Sequence, residues 1–212
     1  YGHDELSTAH RTSDNIPWQG IYMADDFADR FSTPVVHVRW WGSYLQDFLG
    51  NPNSPGVKRF LISFEDDVPV GPNNPLPYSH PGEEKFNQIV TKGPLSPGSG
   101  TFTEKLIPTP LMPGMAPLEA LYEYNAELHL GKFFPEKRDT VYWLKIVALV
   151  DDHRDGFIQW GWHNRDWSIP NPLASMPPAV VPGESIVGGI VDPDKGFESP
   201  VWHFQDDAVT GP

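Results

Sequence analysis

The stretch ALYEYNAELHL, residues 120–130, decides the fold. Leu121, Glu123, Asn125, Glu127 and His129 fall on one side, and Tyr122, Tyr124, Ala126, Leu128 and Leu130 on the other. That is a period of two, not 3.6, so the segment buries one face as a strand, whereas a helix would scatter the tyrosines among the carboxylates. The same period recurs on both sides. In VKRFLISFE, residues 57–65, Phe60, Ile62 and Phe64 share one face with Lys58, and in PVVHVRWWGSYL, residues 34–45, Val36, Val38 and Trp40 oppose His37, Arg39 and Trp41. TVYWLKIVALV, residues 140–150, is the most continuously apolar run and reads as a central strand. FIQWGWH, residues 157–163, is then expected to be its hairpin partner across the turn DDHRDG.

Composition agrees with many short strands. The 212 residues include 24 prolines and 19 glycines, about a fifth of the chain against roughly 12% in average usage, which leaves little room for long helices. The expected fold class is all-β, an antiparallel β-sandwich with extended N- and C-terminal arms. Residues 1–20 are polar and non-periodic and read as an N-terminal arm, residues 21–168 as the sandwich, and residues 169–212 as a proline-rich C-terminal arm.

A net charge of −13 argues against nucleic acid, whose binding draws on clustered Lys and Arg. No apolar run approaches the roughly 20 residues that a membrane-spanning helix needs, so no membrane partner is expected. Without cysteine there is no disulfide, thiolate zinc site or cysteine nucleophile. The chain opens at Tyr1 and not at methionine, from which export to the cell surface or beyond is expected.

The densest chemistry lies in WGWHNRDW, residues 160–167. Alternation places Trp160 and Trp162 on one face, where two buried indoles beside Trp143 would anchor a core, each removing about 200 Å² from water. The competing reading is a sugar-stacking platform. His163, Arg165, Asp166 and Trp167, with Trp162, are the residues of a polar corner or ligand site. Eight histidines show no H-x-H or H-x-x-x-H spacing, and the aspartate pairs lack a calcium-loop pattern. No cofactor or metal is therefore expected; Asp25 and Asp26 are the first candidates were calcium held. No nucleophile elbow or phosphate loop points to an enzyme.

The segments MADDFADRFSTPVVHVRWWGSYLQDF, RFLISFEDDVP, YSHPGEE, YWLKIVALV and WGWHNRDWSI, spread from Tyr22 to Ile169, resemble in their order a family of exported bacterial proteins of unknown function, best known from planctomycetes. The resemblance implies a secreted jelly-roll sandwich and assigns no reaction.

What remains is the C-terminal arm. Ile186, Val187, Ile190, Val191, Val201, Trp202 and Phe204 carry enough apolar surface that leaving it wet would forfeit on the order of 10 kcal/mol at roughly 1.5 to 3 kcal/mol each. The function expected is that of an extracellular, non-enzymatic structural protein assembling with itself into a head-to-tail filament, with these residues and Trp18 at the subunit interface. The alternative is a secreted carbohydrate-binding module with an aromatic platform, its partner an extracellular polysaccharide.

Overall fold

The structure, a computed structural model, describes residues 4–29, 31–44, 56–74, 79–107 and 121–163; for Asp4, Glu5, Asp29 and His163 only the backbone is described. The chain is all-β. Its strands are β1 (Asp4–Leu6), β2 (Thr8–Arg11), β3 (Gln19–Ile21), β4 (Met23–Asp29), β5 (His37–Tyr44), β6 (Arg59–Val68), β7 (His80–Lys92), β8 (Thr101–Leu106), β9 (Leu121–Glu127), β10 (Thr140–Asp151) and β11 (Trp160–His163). A single helical turn, α1 (Asp152–Asp155), lies between the last two.

Hydrogen bonding runs in the order β1-β11-β5-β9-β8-β7-β6-β10-β2-β3, with β4 also on β10. The path folds over at β7 and β8, which pair in parallel over only Thr91↔Thr101 and Lys92↔Phe102. The β11-β5-β9-β8 layer thereby lies on the β6-β10 layer, and their inner faces meet through aromatic rings. Phe60 of β6 sits 5.2 Å from Trp40, 4.9 Å from Phe102, 5.3 Å from Tyr124 and 4.8 Å from Trp160, mostly edge to face, the arrangement ring quadrupoles favour. The alternating runs put these rings inward. Trp40, Phe60, Ile62, Phe102, Tyr124 and Trp160 are all buried.

The expected β10–β11 hairpin does not form. β10 already has β6 along one edge and β4 and then β2 along the other, so β11 has no free edge there and pairs with β5 and β1 instead. DDHRDG makes α1 and not a two-strand turn, because Asp151 and Asp155 turn inward to the arginines and lysine described below.

Residues 4–11 occupy the place between β10 and β11. They form one strand kinked at Ser7: β1 runs antiparallel to β11 and β2 parallel to β10. Ser7 N–H donates to the Trp160 carbonyl at 3.1 Å, while the Ser7 carbonyl accepts from Ala148 N–H at 2.9 Å. Thr8 closes the same seam, its hydroxyl donating to the Trp160 carbonyl at 2.7 Å and accepting from Trp160 N–H at 2.8 Å. A strand that changes layer at a bend is one way a sandwich closes its corner. The segment read as an N-terminal arm thus contributes three strands to the sheet. Its polar composition hid this because the stretch is held by backbone bonds and by small buried residues, Ser7, Thr8 and Ala9, and not by large apolar side chains.

Trp143 is buried, as expected of that run, but not between the layers. On β10, Tyr142, Ile146, Ala148 and Val150 face the core, so Trp143 points outward, its Nε1–H donating to Asp67 Oδ1 at 2.8 Å.

Candidate functional site

Trp160 and Trp162 are both core residues, 0% and 5% exposed, so neither offers a ring to a ligand. Trp160 Nε1–H donates to the Tyr124 hydroxyl at 3.0 Å, and its ring packs against Gly42, where any Cβ would collide with it. His163 ends β11, opposite Asp4. Arg165, Asp166, Trp167 and the apolar residues from Ile186 to Phe204 lie outside the described residues. Asp25 and Asp26 are neighbours in β4, opposite Leu144 and Trp143, so the pleat sends their side chains to opposite faces and they do not converge on one ion.

Two outer surfaces carry chemistry instead. The first is a groove of about 600 Å³ on the outside of the β2-β10-β6-β7 layer. Its floor is aliphatic, from Ala9, Leu61, Val147 and Leu149, with Ile89 beside Leu61 on β7. The turn between β2 and β3 forms one wall with Ile16, Pro17 and Trp18, and Tyr22 stands nearby. Trp18 packs on Ala9, Val147 and Leu149 of its own sheet, with the Arg11 guanidinium 3.9 Å above its ring. Its indole N–H is buried with no hydrogen-bond partner. Around the rim Ile16, Tyr22 and Ile89 are each 40% exposed or more.

At one end of this groove a charge network ties the N-terminal strand down. Asp151, fully buried, accepts from Arg11 and is ion-paired with Arg59 at 2.7 Å, and Asp155 accepts from Lys58 at 2.8 Å and Arg59 at 2.6 Å. The hydrogen bond from Arg11 outweighs the desolvation of Asp151 and, with Arg59, pulls its pKa down to about 2. Burial opposes ionisation at Asp155, yet Lys58, the Asp151 N–H and Arg59 still hold its pKa below the usual value.

The second surface is the outer face of β5 and β9. His37, Arg39 and Trp41 stand outward on β5 opposite Glu127, Asn125 and Glu123 of β9. Arg39 Nη2 donates to Glu123 Oε2 at 2.6 Å and Asn125 Nδ2 to Glu123 Oε1 at 2.9 Å. The Asn125 and Arg39 bonds keep the Glu123 pKa below the usual carboxylate range. His37 links Nδ1 to Glu127 Oε1 at 3.0 Å and Nε2 to Asn125 Oδ1 at 3.3 Å. Trp41 is exposed beside them, with the Arg39 guanidinium 4.9 Å from its ring centre.

A family model for a domain of unknown function, DUF7901, matches residues 1–195, nearly the whole chain. The chain belongs to the DUF7901 family. No curated protein and no solved structure matches it. The DUF7901 match takes in the N-terminal strands that close the sheet and part of the stretch beyond β11.

Neither surface of this DUF7901 chain is built around the stretch that looked richest in chemistry. Alternation along residues 34–45 separates Trp41 from Trp40, and the packing of Trp40 against Phe60 and Tyr124 decides that Trp41 is the outward one. The groove was not legible, because its residues come from four strands and a turn; the only signal is that Leu61, Val147 and Leu149 are apolar on the side of their strands facing away from the core.

Proposed function

We propose that this DUF7901 chain is an exported, non-enzymatic structural subunit that assembles head to tail, the C-terminal segment of one copy lying in the outer-face groove of the next. A bacterial source of the planctomycete type, which the motif series resembles, belongs to the same proposal. The observation that carries it is the groove: an aliphatic floor rimmed by exposed Ile16, Tyr22 and Ile89, beside β3, whose only described partner is β2. Its aliphatic floor suits the alternate side chains of an extended peptide, Arg11, Asp14, Asn15, Glu84 and Lys145 around that floor can meet the peptide's polar groups, and an unpaired sheet edge can take its backbone. Residues 164–212 supply a segment with the right chemistry, SIVGGIV at 185–191 and PVWHF at 200–204. An isologous contact would stop at a dimer, whereas a tail-to-groove contact repeats.

The test compares the full chain with a version ending at Glu184 and with Ile89→Asp, by sedimentation velocity and negative-stain electron microscopy. The full chain is expected to polymerise. Both variants should stay folded and monomeric, and a synthetic peptide of residues 185–204 should bind the shortened protein and not its Ile89→Asp form. A full-length chain that remains monomeric at millimolar concentration removes the proposal, and a shortened chain that still polymerises removes the C-terminal segment from it.

A further inference from the structure

We propose that the outer face of β5 and β9 is a second binding site, one for a neutral polysaccharide laid across Trp41. It lies on the layer opposite the groove and does not depend on self-assembly. The first observation is Trp41 itself. Of the six tryptophans among the described residues, Trp40, Trp143, Trp160 and Trp162 are buried and Trp18 is packed on its own sheet, whereas Trp41 is exposed in the middle of a strand. Its ring carries the Arg39 guanidinium on one side and stays 36% exposed. The apolar C–H face of a pyranose ring is what such a surface stacks with in water, because it removes apolar area from both partners while leaving the hydroxyls free to bond.

The second observation is the set of groups around it. Glu123, Asn125, Arg39 and His37 are joined to one another across the two strands at 2.6 to 3.3 Å, so their remaining lone pairs and N–H groups are held in place before any ligand arrives. A preorganised mixture of carboxylate, amide and guanidinium, all beside one ring, matches the donors and acceptors that a sugar presents in equal number.

Charge and polarity then select among occupants. Arg39 and Lys105 of β8 stand beside Glu123, and Glu127 beside His37, so the cationic and anionic groups of the face balance and a polyanion meets no net positive charge. Apart from Trp41 the face is polar, and a stable protein interface needs an apolar centre larger than one ring. A neutral glycan chain meets neither objection. β11 ends one residue beyond its Trp162↔Gly42 pair, at His163, which brings the strand end alongside Trp41 and extends the face in that direction.

The experiment uses the full chain in affinity electrophoresis through gels containing hydroxyethylcellulose, xylan, galactomannan, a soluble β-1,3-glucan or, as a polyanion, polygalacturonate, with tryptophan fluorescence titrations alongside. At least one neutral glycan is expected to retard the protein and change its emission saturably. Trp41→Ala should weaken that binding at least tenfold and Asn125→Ala severalfold, while Ile89→Asp, which alters only the groove, leaves it within twofold. Thermal melts of Trp41→Ala should match the parent, which separates lost binding from lost folding. Retardation by polygalacturonate alone, no retardation by any neutral glycan, or unchanged binding in Trp41→Ala would each overturn the site. Sedimentation of the same samples reads assembly separately, so failure of one proposal is distinguishable from failure of the other.

Discussion

Gly42 shows how one missing side chain holds two elements together. It lies in β5 opposite Trp162, and a Cβ there would meet both the Trp160 ring and the Gly161 carbonyl. Neither can retreat, the ring being wedged among Phe60 and Tyr124 and the carbonyl belonging to a paired strand. Gly42→Ala is therefore expected to destabilise by about 1–3 kcal/mol, as overpacking does, measured as a lower urea midpoint at unchanged slope. Asp151 makes a second prediction at this scale. Its folded pKa, about 2, lies below the roughly 3.9 of an unfolded aspartate. The unfolded chain therefore takes up the proton first on acidification. The stabilisation is complete above about pH 4 and is lost as pH falls toward 2, with Asp155 acting in the same direction. Urea midpoints measured from pH 6 down to 2 should fall steeply in that window. Asp151→Asn should be less stable at pH 7 and show a shallower fall; an equally steep one would move the acid sensitivity elsewhere.

Among the elements, the N-terminal strand decides most. Residues 4–11 join β11 to β10 through backbone bonds on both sides of Ser7, and the Ser7 hydroxyl adds a bond to the Ile146 carbonyl and one from Met23 N–H. Removing the strand would leave the Ala148–Asp151 part of one β10 edge, and the β11 edge facing away from β5, with unpaired N–H and C=O groups, each costly when buried. A chain lacking residues 1–11 is expected to lose its cooperative unfolding transition and to regain it when the peptide is supplied in trans. A cooperative melt without the peptide would show that the strand is dispensable. Thr8→Val keeps the shape and deletes both side-chain bonds to Trp160, and should cost about 1–3 kcal/mol. Residues 1–20 misled as sequence because burial here runs through the main chain, which leaves no periodic pattern. The β10–β11 connection misled for the complementary reason. Asp and Gly between two apolar runs is a sound hairpin signal, but the strand that separates the two runs comes from more than 130 residues away.

At the scale of the whole molecule, aromatic packing sets what is visible from outside. Among the described residues Trp40, Trp143, Trp160 and Trp162 sit at 5% exposure or less, and the exposed indole is Trp41. In a background of Trp167→Phe and Trp202→Phe, collisional quenching by iodide at neutral pH should therefore fall sharply in Trp41→Phe, and an unchanged quenching constant would mean that another indole is the exposed one. The core and the two outer surfaces differ in how they were built. The core draws on strands whose alternation places their rings inward wherever those strands pair, whereas the groove exists only because β2, β6, β7 and β10 align their outward residues in one place.

The period of two along residues 120–130 and its neighbours, together with the proline and glycine content, determined that the chain is all-β and that Trp40, Phe60, Ile62, Tyr124 and Trp160 face inward, because side-chain direction in a strand is a local property of the backbone. The order of the strands, the insertion of residues 4–11 between β10 and β11, the outward burial of Trp143 and the convergence of four strands and a turn on one groove were decided by tertiary structure. Each depends on which strand edges remain free when two segments distant in the chain meet, and edge pairing uses backbone groups that every residue except proline carries alike.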